Sequence, residues 1–161
     1  MQRNSNLRTV EPAEETEIPE ILFQELDGLL GYRLRRAQGA MHRDFMAALA
    51  DFNLTQKQAA TLWLVSANAG VSQVSVAAAL GMDRATMMAL IDRLEDREFI
   101  IRKRSTVDRR RQELYLTPAG QSMLRKAKTR IAAHEERFKS MFKPAELAAL
   151  LAALQKFQEV T

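Results

Sequence analysis

A short cationic segment between two strand-like runs most constrains how this chain can fold. Residues 102–111 contain six Arg or Lys side chains and a single acid, Asp108. Ile100 and Ile101 precede this segment and the run Leu-Tyr-Leu at 114–116 follows it, so β-branched and aromatic residues flank a charged, turn-forming middle. The pattern predicts a β-hairpin with a basic tip, although a charge run of this kind is also compatible with an ordinary solvated face.

The segment before the hairpin has the pattern of two short helices joined by a tight turn. Ser72 is a suitable N-cap for the first helix, and Gly81 can adopt the left-handed conformation that ends it. Asp83 can cap the second helix, in which apolar residues recur at spacings of three and four. The periodicity assigns to the buried side Ala85, Met88, Ala89, Ile91 and Leu94, and to the remaining faces Arg84, Thr86, Met87, Leu90 and Arg93. A helix-turn-helix followed by a basic hairpin predicts a winged helix whose second helix enters the DNA major groove.

These motifs together resemble the MarR (multiple antibiotic resistance regulator) family of bacterial transcription factors. The resemblance runs from about residue 31 to residue 157, and its most specific part is Asp-Arg-Arg at 108–110 followed by Leu-Thr-x-x-Gly at 116–120. In the family the wing commonly opens with an Asp-Pro pair, whereas this chain has Ser-Thr at 105–106. The resemblance implies a mainly α fold: a winged helix-turn-helix with a two-stranded β-wing, and N- and C-terminal helices that form a dimerisation domain.

Candidate DNA contacts in the two helices are polar or cationic residues, with one methionine, and all but Arg93 lie near the start of a helix. Residues at the start of the first helix can offer a backbone amide or a side chain to phosphate, and those early in the second helix can reach base edges. The candidates are Ser72 and Gln73 in the first helix and Arg84, Thr86, Met87 and Arg93 in the second.

The resemblance assigns a further DNA contact to the wing. Arg109 and Arg110 match the arginine pair of the family's wing motif, which implies that one guanidinium enters a narrow minor groove, where the negative potential is deepest. Asp108 is expected to orient its neighbour through a charge-assisted hydrogen bond.

Composition agrees with a DNA-binding protein. The sequence pI is near 9.7 and the formal charge is +4, which suits a polyanionic partner, although the clustering of charge matters more than this modest total. The absence of cysteine excludes disulfides and thiol redox sensing, and with it the peroxide-sensing branch of the family. No apolar run is long enough to span a bilayer and residues 1–20 are polar and acidic, so a cytoplasmic, nucleoid-associated protein is expected.

The remaining segments predict an arm and a dimerisation region. Residues 1–19 are expected to form a flexible arm, 20–52 and 118–161 the helical dimerisation region, and 53–117 the DNA-binding domain. A first helix is predicted from about residue 20 to residue 51, and a helix of nearly 40 Å from Pro118 to about Phe142. Their apolar faces, and that of a last helix from Pro144, need another surface. We therefore expect a homodimer on a palindromic operator, with a self-contained helical monomer as the alternative.

A polar and aromatic set on the first two helices predicts a small-molecule site. Guanidinium groups beside aromatic rings suit an aromatic carboxylate or its larger coenzyme A thioester. The run Arg-Arg-Ala-Gln at 35–38 resembles family members that control aromatic-acid breakdown. Intersubunit ion pairs and an ordinary core tryptophan are the alternative interpretation. The candidate ligand contacts are Tyr32, Arg35, Arg36, His42, Phe45, Trp63 and Ala67.

Other chemistry has little support in the sequence. The two histidines, His42 and His134, are far apart, so neither a metal site nor a cofactor is expected. No phosphate-binding loop or nucleophile motif is present, which argues against an enzyme that uses the cationic region. Three hypotheses remain: a ligand-responsive repressor, an architectural DNA-binding protein without an effector and, with the least support, an enzyme that uses the cationic region.

Overall fold

The computed structural model describes residues 23–106 and 111–159 of the 161-residue chain. The described residues divide into two compact units, one that ends at Arg35 and one that begins at Arg36. The described residues are mainly helical with one small sheet, which confirms the predicted winged helix-turn-helix class. Asp108, Arg109 and Arg110 lie outside the described residues.

The first helix is shorter than predicted. A 3₁₀ helix covers Gln24–Gly28, α1 spans Leu30–Ala48, and a second 3₁₀ turn follows at Ala50–Phe52. Leu29 is extended, and Asn53 lies in the left-handed region with φ 47°. Glycine is a poor helix former, so Gly28 favours the interruption that an apolar stripe alone does not reveal.

The described residues after α1 form α2 (Gln56–Ala67), β1 (Val71–Ser72), α3 (Gln73–Ala79), α4 (Arg84–Asp96), β2 (Ile100–Arg104), β3 (Gln112–Leu116), α5 (Pro118–Lys139) and α6 (Pro144–Gln158). The two helices α3 and α4 begin at the predicted caps, Ser72 and Asp83. Thr55, Ser72, Asp83 and Thr117 each accept a hydrogen bond from the backbone N–H three residues on. These bonds satisfy amides that have no partner inside the helix, and they fix where each helix starts.

The sheet has one strand more than the predicted wing. Its order is β1-β3-β2, all antiparallel, with Val71 opposite Leu114 and Ile100 opposite Leu116. β1 has only two residues, too few to show the alternation by which strands are recognised in a sequence. Gly70, at φ 84°, turns the chain into β1 and donates its N–H to the Leu114 carbonyl. The wing is thereby joined to the start of α3.

The hydrophobic core lies between α2, α4 and α5 and is closed by the sheet. Its fully buried large side chains are Leu49, Leu62, Val65, Val76, Met87, Ile91, Leu94, Ile100 and Leu114. Both helices of the helix-turn-helix and both long strands contribute to this set. The DNA-binding elements therefore share one core with α2 and α5.

A buried polar cluster connects α1 to α5. The His134 imidazole is buried, and its Nδ1 lies 2.7 Å from Asp44 Oδ2. The rings of Phe45 and Phe138 meet that imidazole edge-on, at 5.4 and 5.2 Å between centroids. Arg137 donates to the other carboxylate oxygen of Asp44. A charged group removed from water needs partners of this kind, so the cluster fixes the pairing of these two helices.

The start of α5 passes very close to Phe99, directly before β2. Thr117 donates its N–H to the Phe99 carbonyl and accepts from the Gly120 N–H at 2.9 Å. A Cβ added at Gly120 would lie 2.0 Å from the Phe99 carbonyl oxygen, far inside van der Waals contact. This contact explains physically why glycine ends the Leu-Thr-x-x-Gly motif. α5 itself ends at Lys139, earlier than predicted, and its 22 residues measure about 33 Å.

Gly120→Ala is expected to destabilise the protein by about 3 kcal/mol, because backbone must move to admit the methyl group. Ala119→Gly, at the exposed neighbouring position, serves as control and should lower stability by less than about 1 kcal/mol. Both are measured by chemical denaturation at one protein concentration, since association contributes to stability. Equal stability of the Gly120→Ala variant and the wild type would contradict the close approach.

Candidate nucleic-acid interface

The exposed face of α4 differs from the predicted face at five positions. Met87 is 0% exposed and Leu90 is buried, whereas Met88 is 54% exposed and Ala85 and Ala89 face outward. Met87 therefore belongs to the core and cannot contact bases, which corrects its assignment as a DNA contact. The spacing of apolar residues was compatible with burial of either Met87 or Met88, because the two are adjacent and both are apolar. Met87 belongs to the same buried cluster as Val76 and Leu94.

The other candidates on the helix-turn-helix are placed at its outer surface. Arg84, Thr86 and Arg93 are exposed on α4, and Ser72 and Gln73 are partly buried at the start of α3. The Asp83 carboxylate accepts from both the backbone N–H and the hydroxyl of Thr86, at 2.8 and 2.6 Å, and these bonds lower the pKa of Asp83. The Thr86 hydroxyl is thus a donor to its own cap, which limits what it can donate to a base.

Two open clefts follow the flanks of α4. The first, about 330 Å³, lies between α3 and α4 and is lined by Gln73, Val74, Ala77, Arg84, Ala85 and Met88. The second, about 300 Å³, lies between α4 and the start of α2 and includes Thr55, Lys57, Thr86, Ala89 and Arg93. Arg84 therefore belongs to one flank and Arg93 to the other. A protruding helix with cations on both sides matches the phosphates that border a major groove.

Arg102 joins the wing to α4. Its guanidinium donates to Glu95 and to Asp92, and its backbone N–H lies 3.3 Å from Glu95 Oε1. The Arg102 side chain is mostly buried, so this pair of contacts is more strongly coupled than a surface ion pair. The sequence grouped Arg102 with the free cations of the wing. The structure instead gives it a positioning role.

Arg97 makes a second connection at the C-terminal end of α4. Its Nη1 and Nη2 donate to the carbonyls of Asn53 and Phe52, at 2.6 and 2.8 Å, and its guanidinium lies 4.6 Å from the Phe99 ring centroid. These carbonyls end the turn after α1. Sequence reasoning missed this role of Arg97, because neither periodicity nor charge indicates a contact to a segment some 44 residues away.

A polar network braces the base of the wing. Tyr115 donates its hydroxyl to Glu113 Oε2 at 2.8 Å, and Lys103 lies 5.0 Å from the Tyr115 ring centroid. Hydrogen bonds from Ser105 and Tyr115 lower the pKa of Glu113, and the same carboxylate raises the pKa of Tyr115. Ser105, where the family commonly has acid and proline, is thus part of the brace.

The predicted ligand contacts are divided between the two units. In the first unit, the Tyr32 ring lies 6.1 Å from that of Phe23, and Arg35 is exposed. In the second, Arg36 and Ala67 are exposed and His42 Nδ1 lies 3.3 Å from Gln56 Oε1.

The two predicted aromatic contacts of the second unit have different surroundings. Phe45 is a buried core residue against His134, which argues against an open aromatic wall there. Trp63 is 41% exposed, which excludes the alternative that it is ordinary core. Lys128 Nζ lies over its ring at 4.3 Å from the centroid. Sequence reasoning missed Lys128, which is one of several cations on α5.

Metal-binding groups and membrane-spanning helices are the next features to consider in the described residues. No three His, Asp or Glu side chains there come together as a metal-binding group. No single helix in the same residues has the length and apolarity to cross a membrane, while the bent pair α3 and α4 meets the criterion only by combined length and composition.

Comparisons with known proteins point to one family. The MarR family model matches residues 54–111. The transcriptional repressor CouR bound to a 23-mer DNA duplex is 38% identical, with 87% of this chain and 99% of that chain covered and a TM-score of 0.82. CouR bound to p-coumaroyl-CoA is 36% identical over 86% and 98% of the two chains, with a TM-score of 0.79. A proposed regulatory protein for the hcr operon of Thauera aromatica is 28% identical over 142 residues, 88% of this chain and 86% of that protein.

Glu113→Gln should lower the thermal unfolding midpoint at neutral pH and have progressively less effect in acid. The folded-state pKa of Glu113 lies below its ordinary 4.5, so the stability it contributes is fully present above pH 4.5 and is lost as the pH falls through the lower, folded value. Melting curves of the wild type and Glu113→Gln, recorded from neutral pH into the acid range, test whether Glu113 stabilises the base of the wing. A difference between them that stays constant with pH would contradict it.

Proposed function

Because this chain belongs to the MarR family, we propose that it is a repressor that binds a palindromic operator as a homodimer and is released by a small aromatic carboxylate or its coenzyme A thioester. The chain is a DNA-binding transcriptional regulator and not an enzyme, as its family and relatives are. Its place of action in this proposal is the cytoplasmic nucleoid.

The DNA part of the proposal is supported by α4 and its attachments. Arg84 and Arg93 place cations along both flanks, and Arg102 and Arg97 hold the helix to the wing and to the turn before α2. Arg109 and Arg110 keep their proposed minor-groove role on the sequence motif alone. A recognition helix held in place by such contacts loses little conformational entropy when it binds DNA. This favours discrimination between DNA sequences.

The dimer part is supported by apolar side chains that this chain leaves uncovered. Along α6 and its approach these are Met141, Phe142, Leu150, Leu151, Leu154 and Phe157. Such a contiguous apolar face is uncommon on a monomer, and a twofold partner is the simplest closed way to bury it. We assign dimerisation to residues 20–52 and 118–161 and DNA binding to 53–117. Two winged helices related by a twofold axis read inverted half-sites.

The effector part depends most on Trp63 and Lys128. A large ring left exposed under an ammonium group offers a stacking surface and a positive charge at one place, which suits an aromatic anion. Arg36 and His42 of α1 are proposed to contribute further polar contacts. Tyr32 and Arg35, in the first unit, remain predictions from the sequence. CouR, which binds p-coumaroyl-CoA, gives this class of compound its priority for testing.

Release requires a difference in affinity between two protein states. A ligand lowers DNA affinity only by binding more tightly to an arrangement in which the two α4 helices no longer match the half-site spacing. A coupling of roughly 1 to 3 kcal/mol is typical and reduces operator affinity by about one to two orders of magnitude.

Arg36→Ala is expected to bind operator normally yet respond poorly to the effector. The operator is the duplex that the wild type selects from a randomised pool. Binding is titrated against aromatic carboxylates and their coenzyme A thioesters. Arg125→Ala removes the same charge from an exposed position on α5 and should respond like wild type.

Three outcomes separate the parts of this proposal. Preference for the selected duplex over shuffled DNA below roughly 10³-fold supports the architectural function instead. If no compound releases the wild type from the selected duplex, the proposal of an aromatic effector is wrong. If Arg36→Ala is released as readily as wild type, Arg36 is a structural residue and the proposed site is misplaced.

A further inference from the structure

The outermost surface of α4 is apolar, although a DNA-reading helix is usually lined with hydrogen-bonding groups. Ala85, Met88 and Ala89 follow one another along this face, and Met88 is the only long side chain among them. Val74 of α3, 53% exposed, faces the same cleft as Met88. Large apolar groups left this open on a small domain indicate a binding surface.

The surroundings of this apolar surface indicate DNA as the occupant. Arg84 and Gln73 line the same cleft, so a cation and an amide border the apolar centre. One turn after Met88, the acidic Asp92 is paired with Arg102. The charge that would repel a phosphate backbone beside Met88 is thereby neutralised. A second copy of this chain offers no comparable reason for a cationic rim.

We propose that Met88, flanked by Ala85 and Val74, recognises the 5-methyl group of thymine in the operator major groove. This inference rests on the proposed function and adds a rule for base preference to it. The thymine methyl is the one apolar group that a base presents in that groove; the other groups there are hydrogen-bond donors and acceptors. If the thioether of Met88 packed against one of those donors or acceptors, that group would lose its water and gain no hydrogen-bond partner, which is unfavourable.

The dimensions of the side chains fit this role. Alanine at 85 and at 89 allows the helix backbone to come close to the base edges, while Met88 reaches beyond them. Methionine is unbranched and flexible, so it can adjust to a methyl group whose position varies with the local twist of the duplex. We therefore expect each half-site to contain a thymine, at a fixed distance from the twofold centre, that Met88 contacts.

The test removes single methyl groups from the DNA. In the duplex selected by the wild type, each thymine is replaced in turn by deoxyuridine, which retains every hydrogen-bonding group and lacks only the methyl. When deoxyuridine replaces the thymine that Met88 contacts, the affinity of the wild type for the duplex should fall by roughly fourfold per half-site. This is the contribution to binding expected of one buried methyl group. Met88→Gln should bind the thymine and deoxyuridine duplexes equally, and Met88→Leu, which stays apolar, should retain the wild-type preference.

The outcomes distinguish this inference from the proposed function. A wild type that selects no duplex above bulk DNA contradicts the proposed function itself. A selected duplex with no deoxyuridine-sensitive position, or a sensitivity that survives in Met88→Gln, overturns the methyl contact while the regulator remains. If Met88→Gln changes the oligomeric state in sedimentation, the surface is an interface between copies and the inference is wrong. Met88 is exposed, so unfolding of the variants is not expected, and circular dichroism checks this.

Discussion

The contact between Arg102 and the two carboxylates of α4 determines how the DNA-reading parts of this molecule are arranged. The wing is a hairpin. The backbone pairing of its strands fixes the shape of the hairpin but not its orientation relative to α4. Arg102 joins β2 to Asp92 and Glu95, one turn apart on α4, so the direction of the hairpin is set by the helix. The same contact neutralises acids on a surface that meets a polyanion. Groove reading and wing placement therefore depend on one side chain.

The other connections extend this rigidity through the second unit. Arg97 attaches the end of α4 to the turn before α2, and the approach of Gly120 to Phe99 attaches the wing to α5. His134 and Asp44 then connect α5 to α1. A displacement of α1 or α5 is thus transmitted through buried or hydrogen-bonded contacts to the recognition helix. This continuity is the physical route by which the ligand proposed at Trp63 and Lys128 would act on the DNA-binding surface.

The sequence predicted features that depend on local interactions, and it failed where distant contacts decide. The caps at Ser72 and Asp83 were correct because each bond forms within four residues. Met87 and Met88 were exchanged, since adjacent apolar residues fit the same periodicity and only packing against the core separates them. The short strand β1 and the roles of Arg97 and Lys128 depend on partners remote in the chain, which no local pattern encodes.

Replacing Arg102 by lysine tests most directly whether the wing and α4 read DNA as one body. Lysine keeps the charge but lacks the planar fork that reaches Asp92 and Glu95 together. Binding of wild type and Arg102→Lys is measured on the selected operator and on a shuffled duplex. The account predicts that affinity for shuffled DNA is unchanged, while preference for the operator falls by roughly tenfold or more, the scale of one or two charge-assisted hydrogen bonds. An operator preference equal to that of the wild type would contradict it.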